Sequence, residues 1–413
     1  MSLIDTAIKH FLGRNFAQAE AITHALLVGG STDPTMFDIL GGSQSLQGKY
    51  LKALQTYEAA LLAYPKDEGF WEGWSLAFAR LESNHLPELK RSCHRLLPLR
   101  RAELGHPLLT VGMLAEGWEM IEADISRKDL KSSDPIRDIP LYRQGQTHIP
   151  KKLLIYTHED YVFSGMGDVF LMWRYFQLLP TLAKEISLRL PKGMAGLAKS
   201  LPFEVVEDLP PKRLQEFDSR LPISLLPRRF NFKIPSQPYI TRNSALVKVW
   251  QERLANYPGL KVGVCWRASP TIGKCRSTTP ENFSRLLNIP GISFFSLLAH
   301  HPQAEADIRV LKGMGAITDL APYLTDWSET AAATQCLDLV ITVDTALANL
   351  CGAMGRADWV IYPSPGLPEM RWCGPSWYPK IRVFTAGSPF ESFERLWVDA
   401  LEQVKCELSK FIP

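Results

Sequence analysis

The stretch LDLVITVDTALANLCGAMG, residues 337–355, decides how this chain is to be read. Leu339 to Val343 is a short run of apolar and β-branched residues, the pattern of a strand buried on both faces of a parallel sheet. It leads into Asp344 and Thr345 and then straight into a helix, whose small residues Ala346, Ala348 and Gly352 permit close approach of backbone to a ligand. A helix N-terminus at such a point is an anion site, because its unpaired amides and its macrodipole both favour negative charge. Asp344 as an ordinary N-cap, with Thr345 in the first turn, demands the same residues, so both readings stand together.

Outward from this point the chain alternates strands and helices, which argues for mostly parallel sheets covered on both faces. The strands Lys261 to Cys265 and Ile292 to Leu297 precede it. Between them CWRASPTIGKCRSTTPENF, residues 265–283, offers Arg267, Lys274 and Arg276 from one loop. Three cations there suit a diphosphate, whose charge they would neutralise; a solvated basic loop is the plainer account. Earlier still come a strand at Leu153 to Tyr156, a helix at Val169 to Leu182 and a strand at Ile186 to Leu190. Gly165, Met166, Gly167 and Asp168 sit between the first strand and that helix, where glycines allow a tight turn. The third glycine and the downstream acid of a nicotinamide fingerprint are missing, so a dehydrogenase is a poor reading. Asp168 as the cap of the helix from Val169 is the local alternative. A Pro-rich stretch, Leu221 to Tyr239, interrupts the pattern. A helix from Ser244 to Leu254 and the break at Pro258 and Gly259 then join two lobes. The last helix places Trp397, Leu401, Val404, Leu408 and Phe411 on one face, so it lies against a lobe.

Toward the N-terminus the grammar is helical. Phe37, Leu40, Gly41, Ala53, Tyr57, Ala60 and Pro65 fall where the 34-residue tetratricopeptide repeat places its large, small and stop residues. Gly41, Ala53 and Ala60 would let two antiparallel helices approach, Tyr57 would fill the groove, and Pro65 would end the second helix. Phe16, Ala19 and Ala21 mark a weaker copy before it, and Trp71, Trp74 and Phe78 open a third. A generic helical hairpin fits the same residues, and either way the N-terminal domain is all-helical.

Bulk properties narrow the class. The 413 residues are 46 % apolar, enough for two or three cores. A net charge of +3, without a long basic or acidic block, gives no reason to expect a nucleic acid partner. The seven cysteines are odd in number and contain no Cys-x-x-Cys pair, so a reducing, cytoplasmic setting is expected. Asp5, Lys9 and Arg14 are wrong for a signal peptide, and no apolar run reaches membrane-spanning length.

Several motifs together resemble one family. SGMGDVFLMWRYFQLLP, residues 164–180, is similar to the Gly-Leu-Gly-Asp segment and following helix that open the sugar-transferase domain of glycosyltransferase family 9, the heptosyltransferase-like enzymes. The tract around Asp344 resembles that family's Asp-Thr/Ser motif, with Asn349 where a histidine is usual. DWSETAAATQCLDL, residues 326–339, resembles its Asp-x-x-x-Thr-Ala-Ala segment. MRWCGPSWYPKIRVF, residues 370–384, resembles its Trp-Arg-Trp to Ser-Pro-Trp-Tyr-Pro run. Gly112, Glu116, Gly117 and Trp118 match a junction common in tetratricopeptide proteins that carry such a domain.

The resemblance implies a GT-B fold, two Rossmann-like lobes preceded by a tetratricopeptide-like domain, with boundaries at 1–148, 149–243 and 244–413. It implies transfer of a sugar from a nucleotide-sugar donor to an acceptor hydroxyl, on protein or saccharide, with inversion. No metal or other cofactor is expected, since no Asp-x-Asp motif stands in a useful position. Asp168 would be the general base, with Gly165 and Gly167 shaping its loop. Lys274, Arg276, Asp344, Thr345, Glu329 and Asn349 would hold the donor; Arg267, Arg371 and Trp372 would border the cleft, with a plain capping box at Glu329 and packing of the aromatics under a loop as the local alternatives. A protein acceptor or partner is expected through the repeats, whose grooves usually bind peptides. Asn349, which cannot be cationic, and the additional residues Asp160 to Ser164 before Gly165 depart from the family pattern and favour an alternative, a catalytically silent scaffold.

Overall fold

In this computed structural model, residues 2–411 are described apart from 130–132, 144, 147, 158–164, 236–237, 242, 271–275, 364–367, 373–376 and 386–392. The chain divides into two compact units, one built on Met1–Ala123 and the other on Asp124–Pro363 with later segments.

The first unit is helical. Helices α1 (Leu3–Leu12), α2 (Phe16–Val28), α3 (Pro34–Leu46), α4 (Tyr50–Ala63), α5 (Glu68–Phe78), α6 (Leu86–Leu96), α7 (Gly105–Thr110) and α8 (Leu114–Asp129) follow in order. Each of the first five packs on its sequence neighbour. Asp33 and Asp67 start α3 and α5 by accepting from the amides of Thr35 and Phe70, as N-caps should. The Tyr57 ring lies between two glycines: a methyl at Gly41 or Gly73 would come within 2.6 or 2.4 Å of it. Gly41 was expected to give that room, and Gly73, on α5, does the same from the other side. Ala53, Ala60, Trp71, Trp74 and Phe78 are buried as their spacing requires, each large ring contributing about 2–3 kcal/mol of burial. The junction motif is a packing device. Trp118 is fully buried, and a side chain at Gly117 would meet Leu109 at 2.7 Å.

The second unit holds two sheets. Strands β1 (Lys152–Tyr156), β2 (Glu185–Arg189), β3 (Glu204–Val206) and β4 (Ser219–Pro222) form the first, in the order β3-β2-β1-β4 and parallel throughout. The helix after β1 begins earlier than expected, as α9 (Met166–Met172), and continues as a tighter 3₁₀ helix, Trp173–Thr181. The start of the Pro-rich stretch is a central-strand neighbour and not a break. Arg220 hid it, a charged residue that is nevertheless buried because Tyr156 and the Ile139 carbonyl accept from its guanidinium.

The second sheet contains β5 (Leu260–Cys265), β6 (Ile292–Ser296), β7 (Thr318–Asp319), β8 (Leu339–Val343), β9 (Trp359–Tyr362) and β10 (Arg382–Thr385), again parallel, in the order β10-β9-β8-β5-β6-β7. Counted from β5, this is the 3-2-1-4-5-6 order of a doubly wound nucleotide-binding sheet. Helices α10 (Ala195–Ala198), α11 (Leu226–Arg229), α12 (Ser244–Leu254), α13 (Pro280–Phe283), α14 (Ala304–Met314), α15 (Trp327–Gln335), α16 (Ala346–Ala353) and α17 (Phe393–Leu408) complete the unit. Trp397, Leu401, Val404 and Leu408 join the core of this lobe. Phe411 does not: it follows α17 in a 3₁₀ turn and stays exposed, touching Trp359 edge-on.

Candidate active site between two strand-switch points

In open α/β sheets, ligands bind beyond the carboxyl ends of the strands, where successive crossovers part to opposite sides. In the second lobe that point lies between β5 and β8, paired through Val264↔Ile341 and Cys265↔Thr342. Trp266 and Arg267 leave one strand there, and Asp344 and Thr345 leave the other. In the first lobe β1 lies between β2 and β4, so its switch point is at the carboxyl end of β1, ahead of α9.

Asp344 is buried and accepts a hydrogen bond from Nη1 of Arg276 at 2.9 Å, an ion pair that spans the switch point. The cap of α16 is therefore Thr345 and not Asp344: the Thr345 hydroxyl accepts from the Ala348 amide. Thr345 sits in extended backbone one residue later than a cap at Asp344 would require, which frees the aspartate for the arginine. Arg267 is turned to another partner. Its guanidinium binds both carboxylate oxygens of Asp307 on α14, and Trp266 donates to the same carboxylate at 2.8 Å. Of three expected cations, then, Arg276 stands at the switch point paired with Asp344, and Arg267 is neutralised elsewhere. Lys274 lies outside the described residues. Cys265, at the end of β5, is buried, and burial pushes its thiol up to about 11.

Asp168 is the third residue of α9. Its carboxylate accepts from the backbone amide of Gly165 at 3.0 Å, turning back on its own helix start. The expectation that Asp168 caps a helix from Val169 is corrected: the helix begins at Met166, Gly165 is its N-cap, and Asp168 closes on the Gly165 amide from inside the first turn. Gly167 faces the other lobe. A side chain there would lie 2.8 Å from Nδ2 of Asn349 and 3.5 Å from Cα of Ala346, so α9 and α16 meet at their first turns. Asn349 is buried at this contact, donating to the Thr345 carbonyl at 2.9 Å and accepting from the Tyr378 hydroxyl at 3.1 Å.

The small residues of α16 consequently accommodate protein. Ala346 admits Gly167, and Gly352 admits the ring of Tyr378, which a methyl would meet at 2.3 Å. The expectation that they make room for a ligand is corrected on that point. Glu329 spends one carboxylate oxygen on the indole N–H of Trp250, at 2.6 Å. Asp326 caps α15 by accepting from the amides of Ser328 and Glu329. Arg371 and Trp372 are buried and group with the helical unit, Arg371 paired with Glu369.

Sequence reading passed over Arg174. Fully buried, it donates to the carbonyls of Leu171 and Trp377 and to the Tyr239 hydroxyl. The rings of Tyr239, Trp377 and Tyr378 surround its guanidinium within 5.2 Å. Trp377 and Tyr378 thus pack on a cation. The sign in the sequence was an arginine inside an otherwise apolar helix.

Fold and site together define a two-lobed parallel α/β unit with its strand-switch points apposed, preceded in sequence by a helical unit. No protein-family model matches the chain. It is 25 % identical over 355 residues to Protein FlbA of Caulobacter vibrioides, matching 75 % of this chain and 57 % of that protein. The chain thus spans less than two thirds of that relative. Among solved structures it is similar to the ADP-heptose lps heptosyltransferase II of E. coli, at 13 % identity and a TM-score of 0.43, over 62 % of this chain and 99 % of that one. A glycosyl transferase family 9 structure from Veillonella parvula is similar at 13 % identity and a TM-score of 0.43, over 63 % of this chain and 97 % of the other. No helix among the described residues is long and apolar enough to cross a membrane.

Proposed function

We propose that this protein is a glycosyltransferase that moves a sugar from a nucleotide-sugar donor to an acceptor hydroxyl, without a metal and with inversion. The observation that carries the reading is the Arg276–Asp344 pair across the β5–β8 switch point, beside the first turn of α16. A donor diphosphate placed there would meet a guanidinium held in position and the positive end of a helix. Lys274, on the same loop as Arg276, would add charge as the leaving diphosphate develops it. Asp168, on the apposed helix start of the other lobe, would take the proton from the attacking hydroxyl. Glu329 would hold the ribose through its second carboxylate oxygen. The helical repeats would bring a protein acceptor, in the manner of peptide-binding grooves.

Calorimetry with a panel of nucleotide sugars and nucleoside diphosphates tests binding, and transfer assays test chemistry. Asp168→Asn is expected to lower turnover by about a hundredfold to ten-thousandfold while donor affinity holds. Lys274→Ala is expected to weaken the donor. Folded variants that transfer sugar at the parent rate would remove both roles.

A specific observation favours a second reading, a silent scaffold. Asn349, standing where a cationic histidine is usual in the resembling family, is engaged by Tyr378 and the Thr345 carbonyl and packs against Gly167. A scaffold would give no heat with any nucleotide in the panel.

A further inference from the structure

A second hollow lies away from the apposed switch points. It has a volume of about 380 Å³ and is formed by the 3₁₀ helix after α9, the residues just before β3, and Pro238 and Tyr239 on the way to α12. Residues before β3 stand at the amino end of that sheet, opposite the end that carries Gly165. The volume is in the range of small-molecule sites. Its walls are flat and apolar: Trp173 and Phe176 stack at 5.2 Å, with Phe203 and the Tyr239 ring nearby and Gln177 exposed among them.

Arg174 also lines this hollow, and its circumstances are unusual for a buried cation. Every group that holds it is neutral: two carbonyls, one hydroxyl and three aromatic rings. No carboxylate among the described residues pairs with it. Nη1 is buried and has no acceptor among the described residues. A guanidinium cannot shed its charge, so burying one without an anion and with an idle donor is costly, and an oxyanion supplied from outside would relieve both defects. The aromatic rings stabilise the cation in part but accept no hydrogen bond from Nη1.

We propose that this hollow is a binding site for an aromatic carboxylate, its carboxylate on Nη1 of Arg174 and its ring against Trp173, Phe176 and Phe203. The same guanidinium ties Tyr239 and Trp377, the former in the segment leading from the first lobe to the second. A ligand here therefore stiffens that crossing. The site is independent of the sugar-transfer reading.

Calorimetric titration of the full chain with benzoate, and separately with inorganic phosphate, tests it. Benzoate is expected to saturate, and phosphate, which has no ring, to bind more weakly. Leu201→Trp, which fills the hollow from its half-buried wall and leaves Arg174 in the sequence, should abolish benzoate binding. Arg174→Lys keeps the charge but loses the planar fork, and should weaken binding about tenfold or more. No saturation with benzoate, or undiminished binding by a folded Leu201→Trp variant, overturns the site. Phosphate bound as tightly as benzoate overturns the assigned chemical class.

Discussion

Each lobe of the second unit sets an aspartate just past the carboxyl end of a central strand, and the two are used in opposite ways. Asp168 lies inside the first turn of α9, half-exposed, and its carboxylate returns to the Gly165 amide three residues back. Asp344 lies before the first turn of α16, buried, and reaches a loop sixty-eight residues away to hold Arg276. The first is a local arrangement that any short hexad of sequence could make. The second exists only when β5 and β8 are paired. On the sugar-transfer reading this divides the labour: the half-exposed carboxylate handles a proton, and the buried one fixes a cation.

The contrast can be broken most forcefully at Asp344. Asp344→Ala would leave the Arg276 guanidinium without its anion at a partly buried site, and about 3 kcal/mol of stability should go with it. Asp168→Ala removes a helix-start hydrogen bond and should cost about 1 kcal/mol. Urea unfolding followed by circular dichroism measures both, and equal losses would erase the distinction.

The meeting of the two helix starts gives the next effect. Gly167→Ala forces a methyl against the Asn349 amide and should destabilise by about 1–3 kcal/mol. If the two positions touch as described, Asn349→Ala should relieve part of that cost, so the double variant's loss falls below the sum of the single ones. Strict additivity in thermal melts would separate the lobes at this point.

The smallest effect sharpens the first lobe alone. Glu204 on β3 accepts from the Ser187 hydroxyl on β2 and from Arg213. The Ser187 bond, followed by Arg213, holds its carboxyl below the ordinary value of 4.5. A lowered folded-state value means stability that is present above 4.5 and is lost as pH falls through the folded value. Because the group is largely exposed, solvent screening limits the contribution to less than about 1 kcal/mol. Glu204→Gln should therefore be slightly less stable than the parent at neutral pH and indistinguishable from it near the acid end of a pH series. A difference that persists in acid would place the effect in packing.

The expected boundaries of α12 and β8 coincide with those observed, because each is signalled locally, by the Asn243 cap or by a run of apolar and β-branched residues. Tyr57, Gly41 and the paired tryptophans were equally plain, since helix-on-helix packing repeats at short range. Five strands and Arg174 escaped for a common reason, β9 and β10 among them. β4 carries a charged residue, β7 is two residues long, and β3 is three. Their strand character comes from partners distant in sequence. Arg174 escaped because its cage is assembled from Tyr239, Trp377 and Tyr378, and no spacing along the chain reveals a side chain's three-dimensional neighbours.

Residue order alone was enough to establish that strands and helices alternate here behind a helical array, and that an aspartate and a threonine close a buried strand ahead of a helix. Those are consequences of periodicity and capping, which act within a few residues. Folding decided that Thr345 and not Asp344 caps, that Arg276 and not Arg267 meets that aspartate, and that Asn349 faces Gly167. Such choices depend on which strands become neighbours in the sheet, and the free energy that selects among them comes from burial and charge pairing between segments far apart in the chain.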